Sequence, residues 1–212
     1  MTERRRTVVR LDGDALPLVV EVLSEAFHDY PVMRFVLGSD SLDYRRRLGV
    51  LVGFFVETRV LRGEVLLGIG SGGRLDGAAV VSDPARPSPP EVDELRERVW
   101  GRLGPAERRR YEAFGAACAP FHVEVPHIHL NMIGVRPAAR GTGLSRALVD
   151  EVHRLSREDS ASKGVTLTTE SPGNVSLYRH FGYETVGHAV VAPELETWGF
   201  FRPDAGTDQE GF

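Results

Sequence analysis

Apolar positions recur along this chain with two periods, and the periods alternate. Thr7–Leu11, TVVRL, is a β-branched run that predicts a first strand. Val19, Val22, Leu23, Ala26 and Phe27 then share one face at helical spacing. Asp14 is the predicted cap of that helix, and Pro17 falls in its first turn, where a missing N–H costs little. Pro31, in HDYP, breaks the period. A second helix is predicted from about Leu42 to Val60, with Leu48, Leu51, Val52 and Phe55 facing inward. Two β-type runs follow, EVLLGIG and GAAVV, joined across SGGRLDG as a hairpin. DPARPSPP, Asp83–Pro90, suits neither helix nor central strand and predicts a loop. It leads into two charged helices, about Val92–Leu103 and Pro105–Ala117.

The second half has a sharper pattern. His127–Val135, HIHLNMIGV, predicts a strand, and Gly143–Ser156 a helix with Leu144, Leu148, Val152 and Leu155 on one face. Gly164–Glu170, GVTLTTE, predicts another strand. Asn174 is the predicted cap of a short helix, and YETVGHAVV and ETWGFFR close the chain as strands. The order strand, glycine loop, helix, strand predicts that the two flanking strands pair in parallel through a right-handed crossover. The fold class is mixed α/β. With no internal repeat and no break in composition, residues 1–212 are expected to form one domain.

Composition narrows the function. With 42% hydrophobic and 26% charged residues the chain is expected to be soluble and globular. A net charge of −4 argues against a general nucleic-acid binder, and the basic cluster Arg4–Arg6 reads as a solvated tail. No apolar run reaches membrane-spanning length and no signal-peptide core is evident, so no membrane partner is expected. The lone cysteine, Cys118, fits a reducing, cytoplasmic setting.

Val135–Leu148, VRPAARGTGLSRAL, puts two glycines directly before a helix. A helix start exposes unpaired N–H groups and a partial positive charge, and bare backbone lets an anion such as a pyrophosphate approach. A tight strand-to-helix turn explains glycines equally well. The loop lacks the Gly-Lys-Ser/Thr of a Walker A motif and the third glycine of the dinucleotide fingerprint. GVRPAARGTGLSRAL followed by ESPGNVSLYRHFGYETVG resembles the GNAT superfamily of acyl-CoA-dependent N-acyltransferases. The matching positions are Val135, Pro137, Arg140, Gly143, Asn174, Tyr178, Gly182 and Tyr183. Ser145 stands where the family usually has Gly or Ala. The resemblance covers about Leu130–Gly187. HIHLNMIGV, TTESPGNVSLYRHFGY and TWGFFRPDAG look most like the puromycin N-acetyltransferase branch.

The resemblance implies a mostly antiparallel central sheet, with a parallel strand pair splayed around an acetyl-CoA site and helices on both faces. It implies transfer of an acetyl group from acetyl-CoA to the amine of a small molecule in a ternary complex. A non-catalytic acyl-CoA-binding module and a protein-amine acetyltransferase are the alternatives. Ile133, Gly134, Val135, Arg140, Gly141, Thr142, Gly143, Leu144, Ser145 and Asn174 would bind the cofactor, and Tyr178 would also protonate the leaving thiolate. His127, His129 and Asn131 share one strand face, which makes His129 and His127 candidate bases; Glu124 or ordered water are the alternatives. Tyr30, Glu57, Glu112, Phe121 and Glu124 are candidates for the acceptor pocket, since aromatic and acidic groups suit a cationic amine. His122, His127 and His129 invite a zinc reading, but Cys118 gives no thiolate pair, so no metal is expected. The protein is expected to be a monomer or homodimer.

Overall fold

The computed structural model describes residues 7–38 and 43–204. The Arg4–Arg6 cluster, Leu42 and the residues after Asp204 lie outside the described residues. Seven strands, β1 (Val8–Leu11), β2 (Leu66–Ser71), β3 (Arg74–Ser82), β4 (Ile128–Val135), β5 (Gly164–Thr169), β6 (Glu184–Ala192) and β7 (Leu195–Pro203), form one sheet in the order β1-β2-β3-β4-β5-β7-β6. Only β4 and β5 pair in parallel. This is the expected mixed α/β class, with its parallel pair inside an antiparallel sheet.

Helices α1 (Leu16–Ala26), α2 (Pro31–Leu37), α3 (Tyr44–Leu61), α4 (Pro90–Leu103) and α5 (Pro105–Cys118) build one core, in which Val19, Leu23, Leu48, Leu51, Leu66 and Val80 are fully or almost fully buried. Helices α6 (Leu144–Glu158) and α7 (Pro172–His180) build a second core with Leu67, Leu148, Val152, Leu167 and Phe200. Alternate residues of the strands supply the two cores, as a pleated sheet requires. Among the described residues no helix is long and apolar enough to cross a membrane.

Four local expectations are corrected. The cap before α1 is Asp12, whose side chain accepts from the Asp14 N–H across a 3₁₀ turn; α1 itself starts without a side-chain cap. Pro31 begins a helix rather than only ending one, because its fixed φ suits the first helical position. Likewise α7 starts at Pro172 with Ser171 at its N-cap, so Asn174 lies within the helix. The hairpin turn is also tighter than expected, because Arg74, Leu75 and Asp76 already belong to β3.

The parallel pairing stops early. Ile128, His129 and Leu130 face Val165, Thr166 and Leu167, and no pair continues toward Val135. On the other side of β4 the register with β3 slips between Val80 and Val81, which face Met132 and Leu130, so Asn131 is the extra residue of a bulge. Bulges bend and twist a strand. The bend at Asn131 coincides with the end of the β4–β5 pairing, and the gap beyond it opens into the cavity described next.

Candidate active site

A cleft runs over the start of α6. Gly141 and Gly143 have φ of +74° and +79°, the left-handed region that glycine enters without steric cost. A Cβ added at either would meet no other atom within 4 Å, so the turn rather than crowding within the protein calls for glycine. Gly143 caps α6 without a side-chain hydrogen bond, and no acidic residue occupies the first turn. The first N–H groups of a 15-residue helix therefore face the cleft as a partial positive charge. Arg140, Gly141, Gly143, Leu144, Ser145, Ile133, Gly134, Val135, Asn174 and Tyr178 all line it. Thr142 does not; its hydroxyl turns inward to donate to the Ala139 carbonyl at 2.7 Å and pins the loop. The base of the loop is anchored by Arg136, which is buried, donates to the Leu75 carbonyl at 2.8 Å and pairs with Glu21 (2.6 Å) and Glu25 of α1.

The inner end of this cleft joins a cavity of about 240 Å³ between the splayed strands. Phe27, Tyr30, Ile133, Asn174 and Tyr178 line both spaces. The cavity walls are mostly apolar and come from the link after α1 and from α2, α3 and α5, among them Met33, Phe55, Tyr111 and Phe114. Polar groups are few: His129, Asn131, Thr168, Glu170, Asn174, Arg59 and the tyrosine hydroxyls. The sequence places Tyr178, His129 and Tyr30 in this cavity, and the fold does bring the three together.

Glu170, just past the end of β5, had no assigned role in the sequence. It is buried, with 6% of its surface exposed, and its side chain lines the cavity. Thr197 donates to its Oε1 at 2.9 Å. Its backbone N–H donates to the Tyr30 hydroxyl at 3.0 Å, and that hydroxyl also shares a hydrogen bond with Thr169 Oγ1 at 2.9 Å. Burial pushes the Glu170 carboxyl up from 4.5 to about 7, against the opposing hydrogen bonds. A carboxylate that titrates near neutrality inside a mostly apolar cavity suits proton abstraction. Tyr178 is equally buried; burial first and the Glu170 charge second push its phenol up to about 12. It therefore stays protonated at neutral pH, as a proton donor must.

His129 is placed less favourably for the base role. Its Nδ1 shares a hydrogen bond with Thr166 Oγ1 at 2.9 Å. Burial, then the Arg59 and His127 charges, lower it to about 4. It is neutral at pH 7 but a weak base there. His127 lines an adjoining cavity, with His122, Cys118 and Phe121, which shares Arg59, Phe114 and His129 with the first, and its Nδ1 donates to the Val125 carbonyl at 2.7 Å. Phe121 packs over Gly187 and Gly199 rather than in the cavity beside Tyr178. Glu57 pairs with Arg98 at 3.0 Å on the surface, Glu112 pairs with Arg108, and Glu124 is exposed; none lines the cavity. Burial raises the Cys118 thiol to about 11, so it is no ready nucleophile. Among the described residues no three His, Cys, Asp or Glu side chains converge to hold a metal ion.

Known proteins share this fold. The family model described as "Acetyltransferase (GNAT) domain" matches residues 112–196, from α5 into β7. The fold matches a histone acetyltransferase HPA2 and related acetyltransferase from Corynebacterium glutamicum with a TM-score of 0.69 and 22% identity, over 94% of this chain and 97% of that one. A Drosophila melanogaster polyamine N-acetyltransferase that forms N-acetylagmatine matches with a TM-score of 0.63 and 17% identity, over 92% and 98% of the two chains. A mosquito arylalkylamine N-acetyltransferase-like protein matches with a TM-score of 0.60 and 16% identity, over 93% and 99%.

Proposed function

We infer that this protein is an N-acetyltransferase that moves an acetyl group from acetyl-CoA to the amine of a small molecule. The observation that carries the reading is Glu170 in the same cavity as Tyr178, which also lines the glycine-loop cleft that joins it. The family match over residues 112–196 supports the reaction class. The resemblance to the puromycin N-acetyltransferase branch, and the amine substrates named for two of the structural neighbours, support a small-molecule acceptor.

The bare, uncapped start of α6 fits a pyrophosphate, and the cleft leads from it to Tyr178. Residues 140–145 would hold the phosphates, with Asn174 and Ile133 flanking the inner end. When bound, acetyl-CoA supplies an acetyl group activated as a thioester. β4 has parted from β5 along Ile133–Val135, and a backbone N–H of this stretch that points away from β3 would face the acyl oxygen. Glu170 takes the proton of the incoming amine on its carboxylate, making the nitrogen a nucleophile. The nitrogen bonds to the acyl carbon as the carbon–sulfur bond breaks, and the extra proton left on that nitrogen passes to solvent through the cleft. The Tyr178 hydroxyl gives its proton to the departing sulfur and is reprotonated through the emptied cleft.

The test is release of free CoA from acetyl-CoA with a panel of small amines, in the wild type and in Glu170→Gln and Tyr178→Phe. The reading requires amine-dependent CoA release that both variants reduce strongly. Binding of acetyl-CoA with no amine-dependent release would instead make this a non-catalytic acyl-CoA-binding module.

A further inference from the structure

The wall of the cavity far from Tyr178 carries a cation with spare capacity. Arg59, in the last turn of α3, lines the cavity, and its Nη1 is held by Glu64 Oε2 at 3.1 Å. Glu64 is almost wholly buried and serves a second cation, Arg62, through Oε1 at 3.0 Å. Arg62 is fully engaged, donating also to Ser88 Oγ and to the Asp83 carbonyl. Two guanidinium groups thus share one carboxylate, which leaves a net positive charge in a largely buried place. The Nε–H of Arg59 is shut off from solvent and has no hydrogen-bond partner among the described residues. Nε and Nη2 form the side edge of a guanidinium, a fork that accepts a carboxylate through two parallel hydrogen bonds. A buried donor without a partner is costly, and a buried excess charge more so.

The cavity therefore has two electrically opposite ends. Glu170 lies three residues beyond Leu167, where the pairing with Leu130 of β4 ends, and Arg59 acts electrostatically on His129, on the other side of that pair. At ~3.3 Å per residue of extended strand the two ends are on the order of 10 Å apart. Between them the wall is formed by Phe55, Phe114, Met33 and Met132, with Asn131 halfway; its Oδ1 is also buried and unpartnered among the described residues.

Building on the acetyltransferase reading, we propose that the acceptor is an amino-carboxylate, with its amine and its anionic group at opposite ends of an apolar body. The amine lies against Glu170 and the carboxylate meets the guanidinium of Arg59 where it lines the cavity. A diamine puts its second cation against Arg59, and an arylalkylamine leaves the fork unanswered. The α-amine and α-carboxylate of a standard α-amino acid lie too close together to reach both ends at once.

The experiment compares kcat/KM for matched acceptors: hexylamine, ε-aminocaproate and hexamethylenediamine, then phenethylamine and para-carboxyphenethylamine. The carboxylates should be preferred over their neutral partners by about 10–100-fold, as a charge-assisted bidentate pair provides. The diamine should be the poorest of its set. In Arg59→Met, checked for folding by its thermal transition and its acetyl-CoA affinity, the ratio of carboxylate to neutral acceptor should collapse toward one. Should Arg59→Met fail to fold, Arg59→Lys keeps a cation for Glu64 without the fork, and the same ratio must fall. A wild type that turns over the neutral amines or the diamine better overturns this proposal and leaves the acetyltransferase reading standing. So does a carboxylate preference that survives in the Arg59 variant. No CoA release with any of the five acceptors overturns both.

Discussion

Replacing Glu170 by Gln keeps the shape and an oxygen for the Thr197 hydroxyl, and removes only the charge. Two quantities should change, in opposite directions. The first is catalysis. A base that titrates at about 7 puts the acidic limb of kcat/KM near pH 7 in the wild type. Glu170→Gln should lower kcat/KM by about 10²–10⁴-fold and abolish that limb. A base at His129 would instead put the limb near pH 4. The second is stability. Glu170 is raised from 4.5 to about 7, so between those values the folded protein holds a proton that the unfolded chain has released. Stability must then fall as pH rises through this window, with the full penalty present above pH 7 and none below pH 4.5. The shift corresponds to about 3 kcal/mol. Glu170→Gln should therefore be more stable than the wild type above pH 7, by up to about that amount, and the difference should vanish near pH 4.5. Urea denaturation of both proteins across this range, beside initial rates of CoA release, measures the two effects. An acidic limb near pH 4, together with denaturation curves that stay parallel at every pH, would refute the assignment.

Tyr178→Phe removes one hydroxyl and little packing, so kcat should fall far more than acetyl-CoA affinity, as calorimetry and steady-state rates can separate. Gly143→Ala puts a Cβ at a φ of +79°, and should cost about 1–2 kcal/mol of stability while weakening acetyl-CoA binding; an unchanged melting temperature would contradict the left-handed turn. His129→Gln should leave the acidic limb where it is in the wild type, because Glu170 sets it. Glu57→Ala and Glu124→Ala should keep wild-type kcat/KM, since neither side chain reaches the cavity; a tenfold loss in either would show that the acceptor extends outside it. Dialysis against a chelator should leave the rate of CoA release unchanged.

The chain's local patterns determined the elements and the glycine loop. Spacing alone marked the face of α6, and Gly141 and Gly143 marked a turn before it, because helical periodicity and left-handed backbone are properties of a few consecutive residues. The strand, loop, helix, strand order likewise implied the parallel pair. Capping was less legible: Asp12, Asp14, Ser171 and Asn174 are all suitable residues, and one or two positions of backbone geometry separate the real cap from its neighbours. The site was read only in part. Tyr178 and the cleft followed from a motif, whereas Glu170 reads in sequence as the polar end of a strand. Its raised proton affinity comes from burial among distant segments, while the hydrogen bonds of Tyr30, 140 residues earlier, and Thr197, 27 residues later, pull the other way. Arg59 reads as a solvated charge near a helix end, until α5 and the split sheet wall it in. Glu57 and Glu124, with the charge a cationic substrate would want, were left on the surface. Desolvation changes what an ionisable group does, and it is set by distant segments packing together, which no local pattern encodes.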